Sequence, residues 1–316
     1  MIRRRLLISI PTLLGICFIS FFLMKLSPGD PTMMYQDPHI SHQDLAQIRQ
    51  NLGLNQPIHT QFILWLRHTL SGDLGYSLVS GEPVSTLILS RLVPTLTLSI
   101  SSLILIFTIT FFLGLYSGYQ AYGWVDQTIM VISFIGLSMP SFWMGLLLII
   151  GLSEYLQWFP SSGYMNPTLV NAPWIQRAIN ISHHMTLPLV TIVLGGMAGL
   201  IRYHRYGIID VMQASFILAA RARQLSEKRI LFYHAAKNAL LPLITILGLQ
   251  LPGLISGSFV IEYIFAWPGL GQLGVNAIFA RDYPVLMATI LFSSLLIIIG
   301  NLLADILYRY ADPRIK

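Results

Sequence analysis

Six long stretches without a single Asp, Glu, Lys or Arg dominate this sequence: residues 6–24, 92–117, 127–153, 187–201, 239–261 and 283–304. A helix needs about 20 apolar residues to cross ~30 Å of hydrocarbon, and five of the six reach that length or come within a residue of it. The fourth is short, with Pro188 at its start. Extending it back to Ala178 restores the length and brings in His183 and His184. Composition agrees: 54% of residues are hydrophobic and 10% charged, where a soluble domain carries about 25% charged residues. A soluble globular enzyme is excluded, and so is intrinsic disorder, which needs low hydrophobicity and high net charge. The fold class expected is an all-α membrane protein of six transmembrane helices.

Orientation follows from the basic residues between the stretches. Thirteen of the 19 Lys and Arg fall on one side, at Arg3 to Arg5, in residues 202–238 and in the C-terminal tail, whereas the other side holds Lys25, Arg49, Arg67, Arg91, Arg177 and Arg281. This places both termini in the cytoplasm and accounts for the net charge of +6 without invoking nucleic acid. Arg3 to Arg5 ahead of an apolar run also suit a signal peptide. The run is long for one and lacks a small-x-small cleavage site, so an uncleaved first helix is expected. Cys17, the only cysteine, excludes an intramolecular disulfide and reads as a lipid-facing or packed residue. Pro140, Pro188, Pro242 and Pro252 predict kinks, which neighbouring helices can tolerate.

All 316 residues read as one transmembrane domain, with an extracytoplasmic cap over residues 27–90 and a cytoplasmic loop over 202–238. In the cap, Leu45, Ile48 and Leu52 predict a short helix over 41–52, and Ile58, Phe62, Trp65, Leu66 and Leu70 form an apolar stripe predicting a second over 57–70. The cap suits either docking of an extracytoplasmic partner or sealing of the bundle. In the cytoplasmic loop, Arg221, Arg223, Glu227, Lys228 and Arg229 alternate with Phe216, Ile217, Leu225, Ile230, Leu231 and Phe232. That pattern fits short amphipathic helices, which either lie on the lipid surface or insert into a partner's groove.

Some chemistry is missing. No phosphate-binding G-x-x-x-x-G-K-[ST] loop and no H-E-x-x-H zinc signature occur. No charged residue lies within a stretch, against the habit of proton relays and ion-coupled carriers. His39, His42, His59, His68, His183 and His184 fall on the outer side and His204 and His234 on the inner, without ligand spacing; no metal site is expected.

Several motifs together resemble the B-type permease subunit of the ABC importers for dipeptides, oligopeptides and nickel. They are Arg3-Arg4 with Pro11-Thr12; Ser27-Pro28-Gly29-Asp30-Pro31; Leu52-Gly53-Leu54-Asn55-Gln56-Pro57; Gly72-Asp73-Leu74-Gly75-Tyr76-Ser77; Ser138-Met139-Pro140 with Phe142-Trp143; Trp267-Pro268-Gly269-Leu270-Gly271; Arg281-Asp282-Tyr283-Pro284-Val285; and Asp312-Pro313-Arg314-Ile315. The resemblance covers the whole chain in order. It implies a permease for peptides, or for nickel or another small solute, in the bacterial inner membrane. It further implies a second, C-type permease subunit, two ATP-binding subunits that use ATP and Mg, and an extracytoplasmic solute-binding protein. No cofactor is implied on this chain, which works within membrane lipid and binds no nucleic acid.

The resemblance also implies an ATPase-coupling loop. Arg202 and Arg205 are similar to the paired arginines that precede it; Ala219, Ala220, Arg221, Ala222, Gln224 and Leu225 resemble its short docking helix, followed by Asn238 and Pro242. Gln224 departs from the family's usual glycine, which permits a positive φ that strains glutamine; either the turn is built differently or docking is looser. Two rival functions are a polytopic membrane enzyme or receptor-like structural component, supported only by polar residues such as Ser133, Ser138 and Ser141, and a carrier driven by an ion gradient.

Overall fold

The computed structural model describes residues 2–26 and 55–311. The expected helix at 41–52, the motifs at 27–31, 52–54 and 312–315, His39 and His42 lie outside the described residues. In chain order the helices are α1 (Ile2–Leu26), α2 (Ile58–Leu70), α3 (Val84–Tyr119), α4 (Trp124–Ser138), α5 (Ser141–Leu148), α6 (Trp174–Met212), α7 (Ser215–Ala222), α8 (Glu227–Arg229), α9 (Ala236–Ile264), α10 (Leu270–Ala280) and α11 (Tyr283–Ala311). A π-helical turn follows α5 at Ile149–Tyr155 and another joins α8 to α9 at Ile230–Ala235. The only β pairing among the described residues is an isolated bridge between Tyr76 and Pro83.

Among the described residues, four helices are long and apolar enough to cross a membrane: Leu7–Leu26, Val84–Tyr119, Trp174–Met212 and Tyr283–Ile306. The short fourth stretch of the sequence thus becomes a 39-residue helix in which Pro188 causes no break, because its missing N–H costs one hydrogen bond and the buried neighbours Leu187, Thr191 and Ile192 hold the helix in place. The fifth stretch is covered by the 29 residues of α9.

The third stretch departs from expectation: a kinked single helix over 127–153 is replaced by α4 and α5, bent by 106°. Pro140 disfavours helical geometry in the residue before it, and Met139 is extended at φ −91°, ψ 129°. The 15 residues of α4 span about 22 Å, short of a hydrocarbon core.

Two compact units make up the chain: residues 1–94 with 268–296, and residues 95–267 with 297–316. In the first, Cys17, Phe21 and Met24 of α1 pack with Met287 of α11 and with Phe62 and Trp65 of α2. Two of the five α2 stripe residues are thereby used; Ile58 and Leu70 stay exposed. Buried Asp282 accepts hydrogen bonds from Ser77 Oγ and from the Leu78 amide, fastening the turn after α2 to the start of α11.

The second unit is built around α6. Its residues Leu187, Val193, Leu200 and Ile201 meet Leu98 and Ile106 of α3 and Leu243 of α9 in one apolar core. At the end of α9, Ala266 takes a left-handed φ of 46°. Trp267 is wholly buried against Tyr164, ring centroids 4.8 Å apart, and the Gly163 amide donates to the Phe265 carbonyl at 2.8 Å.

Candidate functional site

The loop leaving α6 starts with a change of direction at Ala214, whose extended backbone (φ −70°, ψ 148°) ends one helix and begins α7. Only eight residues long, α7 is too short to be stable alone. Packing holds it: Ile217 and Ala220 point inward and bury against Ile230, with Met212 and Leu225 beside them.

Its end is closed by a pair of backbone hydrogen bonds. The Leu225 amide donates to the Ala220 carbonyl at 3.3 Å and the Gln224 amide to the Arg221 carbonyl at 2.8 Å. This is the Schellman pattern, completed by the apolar contact of Leu225 with Ala220. The residue that must turn left-handed is Gln224, at φ 57°. Glutamine takes the glycine geometry at a cost of about 1–2 kcal/mol, offset by the two hydrogen bonds and the Leu225 contact.

What α7 presents outward is Phe216, Leu218, Ala219 and Ala222, all exposed. Around this apolar face stand Arg221 and Arg223. Arg221 makes a two-point pair with Glu227, Nε to Oε1 at 3.0 Å, and this hydrogen-bonded partner raises the pKa of its guanidinium further. The following segment anchors the loop to the bundle through Leu231, Ala235 and Ala239, which bury with Ile208 of α6 and Leu115 of α3. Asn238 donates its side-chain amide to the His234 carbonyl at 2.7 Å; Pro242 is exposed.

The ten residues expected in this loop therefore separate. Ala219, Arg221, Ala222 and Gln224 lie on its open side. Ala220 is buried and Leu225 half-buried, both serving the loop's own packing. Arg205 lies elsewhere, buried at 5% exposure, with its Nε 2.6 Å from Asp126 Oδ1 and a terminal nitrogen 2.7 Å from Oδ2. Arg202 lines a cleft with Tyr122 and Tyr206.

The Asp126 junction is absent from the sequence reading. Asp126 accepts four hydrogen bonds, two from Arg205, one from Ser117 Oγ and one from the Tyr122 amide at 2.7 Å, so both carboxylate oxygens are saturated. Tyr122 is itself left-handed at φ 71°, held there by that bond. Arg205 also lies over the Tyr122 and Tyr206 rings, 5.4 and 5.2 Å from their centroids. Close packing of α3 on α6 permits this geometry. A Cβ on Gly118 would sit 2.6 Å from Ile208 Cβ, and one on Gly114 2.8 Å from the His204 ring. The sequence trace was faint: two glycines four apart, Gly114 and Gly118, a spacing that lets membrane helices approach.

Among the described residues no group of three or more His, Cys, Asp or Glu is arranged to hold a metal ion. His183 Nε2 meets the Trp158 carbonyl and His184 Nδ1 the Asn180 carbonyl, each at 2.9 Å. Buried Glu262 receives Ser258 Oγ at 3.2 Å.

Comparison with known proteins matches this chain to two family models. Residues 110–316 match the binding-protein-dependent transport system inner membrane component, and residues 1–101 the N-terminal part of the membrane component of such systems. It is 46% identical, over all of its length and 98% of the relative's, to the oligopeptide transport system permease protein AppB of Bacillus subtilis. With a glutathione transport system permease protein of Salmonella typhi it shares 37% identity over the same fractions. Among solved structures, the MetNI methionine ABC transporter in inward-facing conformations aligns with a TM-score of 0.58 at 19% identity, over 73% of this chain and 99% of that one. That last likeness concerns the fold. The chain belongs to the family of ABC transporter permeases, the inner membrane components of binding-protein-dependent transport systems.

Proposed function

We propose that this chain forms half of the translocation path of an ATP-driven importer for peptides, the other half being a related permease. The oligopeptide and glutathione systems named for its relatives support the substrate class. Six crossings with both termini cytoplasmic complete the reading, with α4 and α5 counted as one crossing and α9 as another. A solute-binding protein delivers the peptide at the outer mouth. Two partner subunits hydrolyse ATP below, and this chain contributes no nucleotide site.

The observation that carries the proposal is the display of α7. Ile217 and Ala220 hold the helix from beneath, which leaves Phe216, Leu218, Ala219 and Ala222 free to fill an apolar groove on the ATPase. Closure of the ATPases on ATP pulls α7 with them. Because the Schellman turn and the Ile230 to Ala239 segment tie α7 to α6 and α9, the pull reaches the bundle and turns the path from inward-facing to outward-facing.

The test compares an outward with an inward position of one helix. In the assembled transporter, Leu218→Asp is expected to cut transport and peptide-stimulated ATPase by about tenfold or more, as loss of a buried apolar anchor does, with unchanged thermal unfolding. Ala220→Asp buries a carboxylate inside the loop and lowers unfolding temperature as well. Full transport by Leu218→Asp overturns the docking assignment.

A further inference from the structure

Beside the Asp126 junction lies an open cleft of about 430 Å³ between α4 and α6. Its head is polar. Arg202, Tyr122 and Tyr206 stand there with Arg205, whose charge is already matched by Asp126. Arg202 has no such match: among the described residues it makes no hydrogen bond, ion pair or ring contact. Its tail is apolar, a strip along α4 formed by Met130, Val131, Phe134 and Ile135. Three of these side chains are more than half exposed, Val131 at 58%, Phe134 at 60% and Ile135 at 52%.

We infer that this cleft binds an anionic phospholipid, with its phosphate on Arg202 and an acyl chain along the α4 strip. Charge complementarity selects this occupant. An unmatched guanidinium at the mouth of an apolar groove favours a ligand that brings one negative charge and a hydrocarbon chain together, and neutral lipid supplies only the second. Tyr122 and Tyr206 line the polar head and are amphipathic rings of the kind that prefer the headgroup level. The cleft opens on the side of the chain that carries residues 202–238 with their seven basic residues, which is the leaflet where anionic lipids are attracted by basic segments. A lipid seated there bridges α4 to α6 at the point where α6 continues into the ATPase-facing loop, so its occupancy stiffens that joint. The inference goes beyond the proposed transport function and does not depend on which solute is carried.

The experiment uses the complete transporter, permease pair and ATPases together, in mild detergent and then in nanodiscs. Phosphatidylglycerol and phosphatidylcholine are the probes. Wild type is expected to retain phosphatidylglycerol over phosphatidylcholine in native mass spectrometry. Arg202→Gln should lose about fivefold of that preference, the weight of one basic residue near an anionic surface, and Arg202→Lys should recover most of it. Arg177→Gln, at the far end of α6 and outside the basic segment, should leave the preference unchanged. In the wild-type complex a photoactivatable phosphatidylglycerol should cross-link within residues 130–135, a result independent of how any variant folds. Equal retention of the two lipids by wild type overturns the inference. So does efficient cross-linking of a Phe134→Cys chain to the companion permease, which would mean that protein covers the cleft.

Discussion

Arg205 and Arg221 belong to the same compact unit, and each grips a carboxylate at two points. Arg205 does so in a dry junction, against Asp126, at 6% and 2% side-chain exposure. Arg221 does so in the open, against Glu227, at 42% and 48%. The first pair is surrounded by hydrogen bonds from Ser117 and Tyr122 and by two aromatic rings; the second has water as an equal competitor. The same chemical pair is therefore a fixed joint in one place and an adjustable fringe in the other. Burial decides: desolvated charges must stay together because separation strands one of them in a medium that cannot solvate it, whereas exposed pairs contribute only about 0–1 kcal/mol.

Breaking the buried pair is the strongest challenge to this contrast. Asp126→Ala leaves Arg205 buried and unpaired and is expected to cost about 3–5 kcal/mol, read as loss of assembled transporter and a large fall in unfolding temperature. A double variant, Asp126→Leu with Arg205→Met, should recover much of that loss, since well-packed apolar residues replace buried ion pairs with little penalty. If the single variant unfolds like wild type, the junction is not a joint.

Gly118→Val tests the packing that encloses the pair. Its side chain would collide with Ile208 and the Arg205 carbonyl, at an expected cost of about 1–3 kcal/mol, visible in thermal unfolding. An unchanged transition would mean that α3 and α6 can separate freely.

A milder effect sharpens the loop side. Gln224→Gly should relieve the left-handed strain by about 1 kcal/mol, slowing amide exchange at Leu225, whose N–H closes the turn on Ala220. Faster exchange would show that the glutamine side chain itself supports the turn. Smallest of all, Arg221→Gln should change stability by no more than about 0.5 kcal/mol; a loss comparable to that at Asp126 would erase the distinction drawn between the two pairs.

The loop was legible in advance and the junction was not. Alternation of charged with apolar residues over 216–232 marked an amphipathic segment, and the expected second outer helix at 57–70 emerged as Ile58–Leu70. Local periodicity carries such information because neighbours in sequence share a face. Asp126 and Arg205 are 79 positions apart, and nothing in the local pattern of either names the other. Ala220 shows the same limit within one helix: the family resemblance grouped it with Ala219 and Ala222 in the docking helix, yet the turn at Ala214 rotates it inward onto Ile230. At Pro140 a kink was foreseen and a full break was not, since the proline dictates the extended backbone of Met139 while the packing of Gly145 against Phe265 and Thr191 fixes where α5 then lies.

By itself the sequence determined that this is a helical membrane chain with its basic residues gathered between apolar stretches and a short amphipathic loop helix, because hydrocarbon length, charge placement and helical period act residue by residue along the chain. Tertiary structure alone decided which arginine is a joint and which a fringe, which alanine faces outward, and that, among the described residues, Arg202 is left without a counter-ion in an open cleft. Those outcomes depend on what is excluded from water, and water is excluded only by residues brought together from distant parts of the chain.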